Sequence, residues 1–77
     1  MKITVNGKEY TDGPNQPLEN KPRLKWSDIG RLAGIPHGKF TNNSTVRINV
    51  PGEEKPREHK HGFSLILIDG MAITARP

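Results

Sequence analysis

Cysteine is absent from this 77-residue sequence, and so are long apolar runs. Without cysteine, neither a disulfide nor a thiolate zinc site can stabilise the fold. No run approaches the ~18 apolar residues that a membrane-spanning helix needs. The N-terminal stretch MKITVNGKEY lacks the apolar segment of a signal peptide. We therefore expect one domain, residues 1–77, in the cytoplasm and without a membrane partner.

Patterns that indicate catalysis are missing as well. Ser27, Ser44 and Ser64 lie outside any nucleophile-elbow motif, and the glycines stand singly rather than in a phosphate-binding loop. The 8 acidic residues are scattered, which argues against a paired acid–base site. We expect a binding protein rather than an enzyme, and no cofactor.

Basic residues outnumber acidic ones, and the net charge is +4. One candidate site combines cations with an aromatic residue: Lys21, Arg23, Lys25, Trp26 and Arg31. In a nucleic-acid site the cations would contact phosphates and Trp26 would stack on bases. The alternative is a solvated basic loop in which Trp26 and Phe40 complete the core. We favour the alternative, because a small domain can rarely spare its only tryptophan.

The first half of the chain predicts a hairpin followed by a loop. Ile3 and Val5 alternate with polar residues, and Asn6-Gly7 then indicates a type I′ turn into a second strand at 8–11. Residues 12–25 contain three prolines, so we predict a loop there.

A short helix and one more strand follow. Ser27 is a plausible N-cap, and Gly34 is well placed to end the helix after about two turns. Gly30 should weaken this helix by up to ~1 kcal/mol relative to alanine. Alternating apolar residues predict a strand at 45–50, and the charged segment 53–62 is predicted to be a solvated loop.

The best core material lies near the C-terminus, where two apolar runs flank Asp69-Gly70. This dipeptide between β-rich runs indicates a tight hairpin. The run 63–68 does not alternate. If Leu65 and Leu67 face the core, Ile66 and Ile68 point outward beside an open edge and invite a protein partner. The alternative is that loop 12–25 or loop 53–62 covers both isoleucines.

Two histidines share the charged segment. His59 and His61, with Glu58 beside them, are weak candidates for a metal site, since zinc needs about four ligands and the chain has one further histidine, His37. They could instead change the net charge near pH 6.5. We expect no metal.

The order β-β-α-β-β-β predicts an α+β fold in which a mixed four- to five-stranded sheet carries one short helix on one face. By fold analogy this is the ubiquitin-like β-grasp, with the first and last strands side by side in the middle. Short motifs resemble the bacterial multi-ubiquitin family of ubiquitin-like domains: ITVNGKEYT at 3–11, WSDIGRLAG at 26–34, TVRINV at 45–50 and DGMAITA at 69–75.

The resemblance implies a small protein modifier that E1-like activating and E2-like conjugating enzymes attach to a protein target. Modifiers of this kind use a flexible tail, often ending in Gly-Gly, whereas no glycine follows Gly70 here. Either a tail follows Pro77, or conjugation uses another end, or this copy is not conjugated. The resemblance also favours a chain that crosses the sheet after Asp69-Gly70, which conflicts with the hairpin that the turn residues indicate.

The same pattern predicts the character of the outer sheet face. Its residues should be polar and basic: Lys2, Thr4, Arg47, Asn49, Ala72 and Thr74. Ubiquitin presents an apolar patch there, so we do not expect ordinary ubiquitin-binding domains to bind this chain.

Overall fold

The computed structural model describes all 77 residues and contains seven strands and one helix. In chain order these are β1 (Lys2–Val5), β2 (Lys8–Thr11), β3 (Arg23–Lys25), α1 (Trp26–Leu32), β4 (Thr45–Asn49), β5 (Arg57–His59), β6 (Ser64–Ile66) and β7 (Ala72–Arg76). Five strands form a mixed sheet in the order β2-β1-β7-β4-β5, and β3 pairs with β6 in a separate two-stranded ribbon. The protein is thus an α+β fold with a mixed five-stranded sheet and one short helix, as the sequence predicts at this level.

The first hairpin forms as predicted. Val5 pairs with Lys8 across a two-residue turn, and both turn residues have positive φ, 50° for Asn6 and 83° for Gly7. Positive φ at both positions is what a type I′ turn requires. The Asn6 side chain then bonds both backbone groups of Ala75, donating to its oxygen at 3.0 Å and accepting from its nitrogen at 2.8 Å. It ties the end of β1 to β7.

Of the two alternatives at Asp69-Gly70, the hairpin does not form and the chain crosses to the five-stranded sheet. Strand β7 runs parallel to β1 and antiparallel to β4, and β6 belongs to the other sheet. Only Gly70 of the pair has positive φ, 87°, and the turn closes with a 3.1 Å bond from the Met71 amide to the Ile68 oxygen. Two bonds of 2.7 Å with the backbone of Lys2 dock this turn against β1. A contact with the other end of the chain therefore decides where β7 goes.

The helix starts earlier than predicted and ends as predicted. Its N-cap is Lys25 rather than Ser27, and the Asp28 carboxylate accepts a 2.9 Å bond from the Lys25 amide. Gly34 has φ +75°, and its amide and that of Ile35 each donate at 3.1 Å to carbonyls of the last turn. This bonding pattern is a Schellman motif, in which glycine takes the left-handed position without a Cβ clash.

Both segments predicted to be entirely loop contain a short strand. Residues Arg23–Lys25 pair with Ser64–Ile66, and residues Arg57–His59 pair with β4 at the edge of the sheet. Each new strand has only three residues. Runs this short have no period to detect, and their partners supply the pairing, so the predictions were wrong there.

One face of the sheet carries the core. Fourteen buried residues form a single cluster: Ile3, Val5, Leu18, Leu24, Trp26, Ile29, Val46, Ile48, Val50, Leu65, Leu67, Met71, Ile73 and Ala75. The helix contributes Ile29 and is fixed by a 2.6 Å bond from the Tyr10 hydroxyl to the Leu32 oxygen. The single helix, α1, is not long and apolar enough to cross a membrane.

Candidate binding surfaces

The ribbon of β3 and β6 places two sequence candidates on one surface. Arg23 lies directly opposite Ile66, and Lys25 lies opposite Ser64. Leu24 and Leu65 point the other way into the core. We call the outward side the ribbon face; its residues are Arg23, Lys25, Ser64, Ile66 and Ile68.

The two isoleucines of the ribbon face are open to solvent. Ile66 is 57% exposed and Ile68 is 43% exposed, while their neighbours Leu65 and Leu67 are buried. Of the two alternatives that the sequence left open, the structure shows the outward one, and neither loop covers these side chains. Large apolar side chains with this exposure are the usual anchors of protein contacts when they lie together.

The cations of the basic stretch divide into two pairs. Lys21 and Arg31 both contact Asp28, at 3.6 Å and 3.0 Å from its Oδ1 atom. Arg23 instead donates a 3.2 Å bond to the Ser64 hydroxyl, and neither Arg23 nor Lys25 has an acidic side chain within 4.0 Å. The ribbon face therefore presents two positive charges that no acid neutralises.

Trp26 lies in the core, as the alternative interpretation predicted. Its side chain is 7% exposed and stacks on Phe40, with ring centroids 4.5 Å apart. Its remaining aromatic neighbours are Phe63 and His61, both in edge-on contact. A ring enclosed in this way offers no open face for a base, so it does not extend the basic surface.

The two candidate metal ligands are part of the same aromatic cluster. His59 stacks on Phe63 at 4.3 Å, and His61 packs its edge against Trp26. No group of three or more His, Cys, Asp or Glu side chains is placed to hold a metal ion. Burial, and next the nearby Arg57 charge, lower the pKa of His59 below its usual value. Its Nε2 atom is buried without a hydrogen-bond partner.

The outer face of the five-stranded sheet is polar and basic, as predicted. Cross-strand pairing places Thr45 opposite Arg76 and Arg47 opposite Thr74. With Asn49, these residues line a shallow groove of about 430 Å³. Arg47 donates to Glu58 at 3.2 Å, whereas Arg76 has no acidic partner within 4.0 Å. This face could contact an anion but lacks an apolar anchor.

Sequence reasoning missed a groove beside the helix. Gly30 lies against the ring of Phe40 so closely that a Cβ there would meet the ring at 2.6 Å. The groove that opens beside them has a volume of about 720 Å³ and includes Ile35 and His37 in its lining. The available signal was Gly30 itself, because glycine inside a short helix often marks a close approach.

The chain matches no protein-family model, no curated protein and no solved structure. Inference about function therefore depends on the topology and on the surfaces described above.

Proposed function

We propose that this chain is a ubiquitin-like β-grasp domain, and that it acts as a protein modifier or module of a bacterial conjugation system of the ubiquitin type. One observation carries the proposal: the strand order β2-β1-β7-β4-β5, with the parallel pair of first and last strands at its centre. That central pair is the defining feature of the β-grasp arrangement. The helix follows the first hairpin and contributes to the core beneath the sheet.

The position of β7 fits a modifier. The strand is paired on both sides, by β1 and β4, and the Asn6 side chain holds Ala75. The folded body thus extends to the end of β7, where Arg76 and Pro77 are exposed. An enzyme of the E1 or E2 type could reach a tail at this point without unfolding the domain. The chain would be the group that is transferred to a protein target, not the catalyst.

Expression of the N-terminally tagged protein in its own host tests the proposal. A modifier gives tagged species of higher mass on a blot, and intact-mass analysis assigns the added mass to another polypeptide. A bulky C-terminal tag should abolish these adducts while leaving the folded domain intact. A single free species at the encoded mass in all growth phases would overturn conjugation.

A second candidate is a basic β-grasp domain that binds nucleic acid, or a protein, without being conjugated. The exposed and unpaired Arg23 and Lys25 favour it. Retention on single-stranded DNA should then fall steeply with salt and weaken further on replacement of Lys21, Arg23 and Lys25 by alanine. Retention that is independent of salt, or unchanged in this variant, would reject a role of these residues in DNA binding.

A further inference from the structure

The free edge of β6 offers backbone groups for pairing. The Leu67 amide donates to the Pro22 oxygen at 3.0 Å, so Pro22 and Leu67 form a bonded pair of the antiparallel ladder. Bonded and non-bonded pairs alternate, so Leu24 and Leu65 are the next bonded pair, and Arg23 and Ile66 face each other without bonds. The amide and carbonyl of Ile66 therefore point away from β3. The Lys25 amide agrees with this alternation, because it donates to the Asp28 carboxylate and not to β6.

No strand occupies that edge. Strand β6 has β3 as its single partner in the ribbon. The backbone amide and carbonyl of Ser64, like those of Ile66, point away from β3. An open strand edge is a template for an extended segment of another chain. The exposed Ile66 side chain lies on the same strand and gives such a segment an apolar contact.

The side chains on the ribbon face determine what kind of segment fits. The Arg23 guanidinium reaches from β3 to the Ser64 hydroxyl of β6 at 3.2 Å, which places a positive charge beside β6 on the ribbon face. Lys25 lies opposite Ser64 and adds a second. On an added strand, the residue beside Ser64 would meet these cations, and the residue beside Ile66 would meet two isoleucines.

We propose that β6 is a docking strand for an extended acidic segment of a partner protein. The segment has a carboxylate residue and an aliphatic residue two positions apart, because side chains two apart share one face of a strand. The carboxylate pairs with Arg23 and Lys25, and the aliphatic side chain packs on Ile66 and Ile68. This goes beyond the function proposed above and holds whether or not the chain is conjugated.

Two other occupants fit the surface less well. Single-stranded nucleic acid would pair with the cations but would leave both isoleucines uncovered, and the ribbon face has no aromatic side chain for base stacking. An anionic membrane would need a broad apolar face, whereas here two isoleucines stand beside polar neighbours. A protein segment uses the charges, the isoleucines and the backbone edge together.

Selection from a displayed library of random peptides tests the proposal without assuming a sequence. The full chain is the target, and counter-selection uses the Ile66→Ser variant. Enriched peptides should share an acidic residue two positions from an aliphatic one. Amide NMR signals of Ser64 and Ile66 should shift when the best peptide is added.

Matched variants then separate the contributions. Ile66→Ser should weaken binding about tenfold, as expected for an interface anchor, and Arg23→Gln about threefold. Arg47→Gln, which removes the same charge from the outer sheet face, should have no effect. N-methylation of the peptide amide that pairs with Ile66 should abolish binding, because strand addition depends on that bond.

Several results would overturn the proposal. These are enrichment of basic or purely apolar peptides, failure to enrich any peptide, and equal binding by the Ile66→Ser variant. Tight binding of the N-methylated peptide would exclude strand addition. Shifts at Ser64 and Ile66 produced only by single-stranded DNA, or only by vesicles containing phosphatidylserine, would assign the surface to that partner instead. Thermal melting of each variant excludes unfolding as the cause, and Arg23→Gln remains informative if Ile66→Ser melts early.

Discussion

Replacing Gly30 by alanine tests whether this glycine matters through helix propensity or through its close contact with the Phe40 ring. The added Cβ would lie 2.6 Å from Cδ2 and 2.9 Å from Cγ of Phe40. These atoms are near the base of the ring, so a small movement of the ring tip cannot relieve the clash. Phe40 in turn stacks on Trp26, whose side chain is buried in the core. Either the ring leaves its stack or the helix moves away from it.

Three free-energy contributions decide whether the Gly30→Ala substitution stabilises or destabilises the protein. Helix propensity alone would make alanine about 1 kcal/mol better than glycine. Overpacking of a filled site costs about 1–3 kcal/mol, and loss of an aromatic stack costs a further ~0.5–1.5 kcal/mol. We therefore expect Gly30→Ala to lower the free energy of unfolding by about 1–2 kcal/mol. For a domain of this size the melting temperature should fall by roughly 5–15 °C.

A double-mutant cycle measured by urea unfolding shows whether the clash with Phe40 causes the loss of stability. In a Phe40→Ala background the clash is absent, so Gly30→Ala should become stabilising by up to ~1 kcal/mol. Gly34→Ala is the matched control. Its cost comes from φ +75°, with no atom within 4 Å of the added Cβ, so it should be the same in both backgrounds. A higher melting temperature for Gly30→Ala in the otherwise native chain would refute the packing argument.

Three further predictions concern pH, the end of β7 and the ribbon face. Burial and the Arg57 charge lower the pKa of His59 in the folded protein. The stability that the neutral imidazole allows is present above pH 6.5 and should be lost as pH falls below 6.5. The loss ends once His59 is protonated in the folded protein as well. Melts across this range should show the loss, and His59→Gln should flatten it; an equal slope in the variant would contradict the assignment. Asn6→Gly, which tolerates the φ of 50° at this position, removes two bonds to Ala75 and should cost about 2 kcal/mol in urea unfolding, with faster amide exchange at Ala75. Unchanged exchange there would mean that the side chain does not hold β7. Ile66→Ser should change stability by less than about 0.5 kcal/mol, because the side chain is 57% exposed; a loss above about 1 kcal/mol would place it in the core.

The predictions that held depend on residues close in sequence. Asn6-Gly7 specifies the first turn, and the alternation of Ile3 and Val5 specifies which face of β1 is buried. Gly34 ends the helix because the left-handed position needs no partner beyond the preceding turn. The run 63–68 does not alternate, but the two-residue period of a strand gave the outward orientation of Ile66 once Leu65 was placed in the core, although not what lies opposite it.

The predictions that failed concern residues whose structure depends on distant parts of the chain. Asp69-Gly70 forms a turn, but its bonds with Lys2 send the chain into the sheet rather than back along β6. The three-residue strands β3 and β5 exist because β6 and β4 supply their partners. The ribbon face combines two candidates that the sequence analysis treated separately, since Arg23 and Ile66 become neighbours only when β3 and β6 pair.

The sequence by itself determined the first hairpin, the helix end and the inward or outward direction of the longer strands. Each of these follows from backbone sterics or from a two-residue period, which act over a few residues. Tertiary structure alone decided the path of the chain after Asp69-Gly70, the pairing of Arg23 with Ile66 and the need for glycine at position 30. These features result from hydrogen bonds and close packing between segments far apart in the chain, and no local pattern encodes which segments will meet.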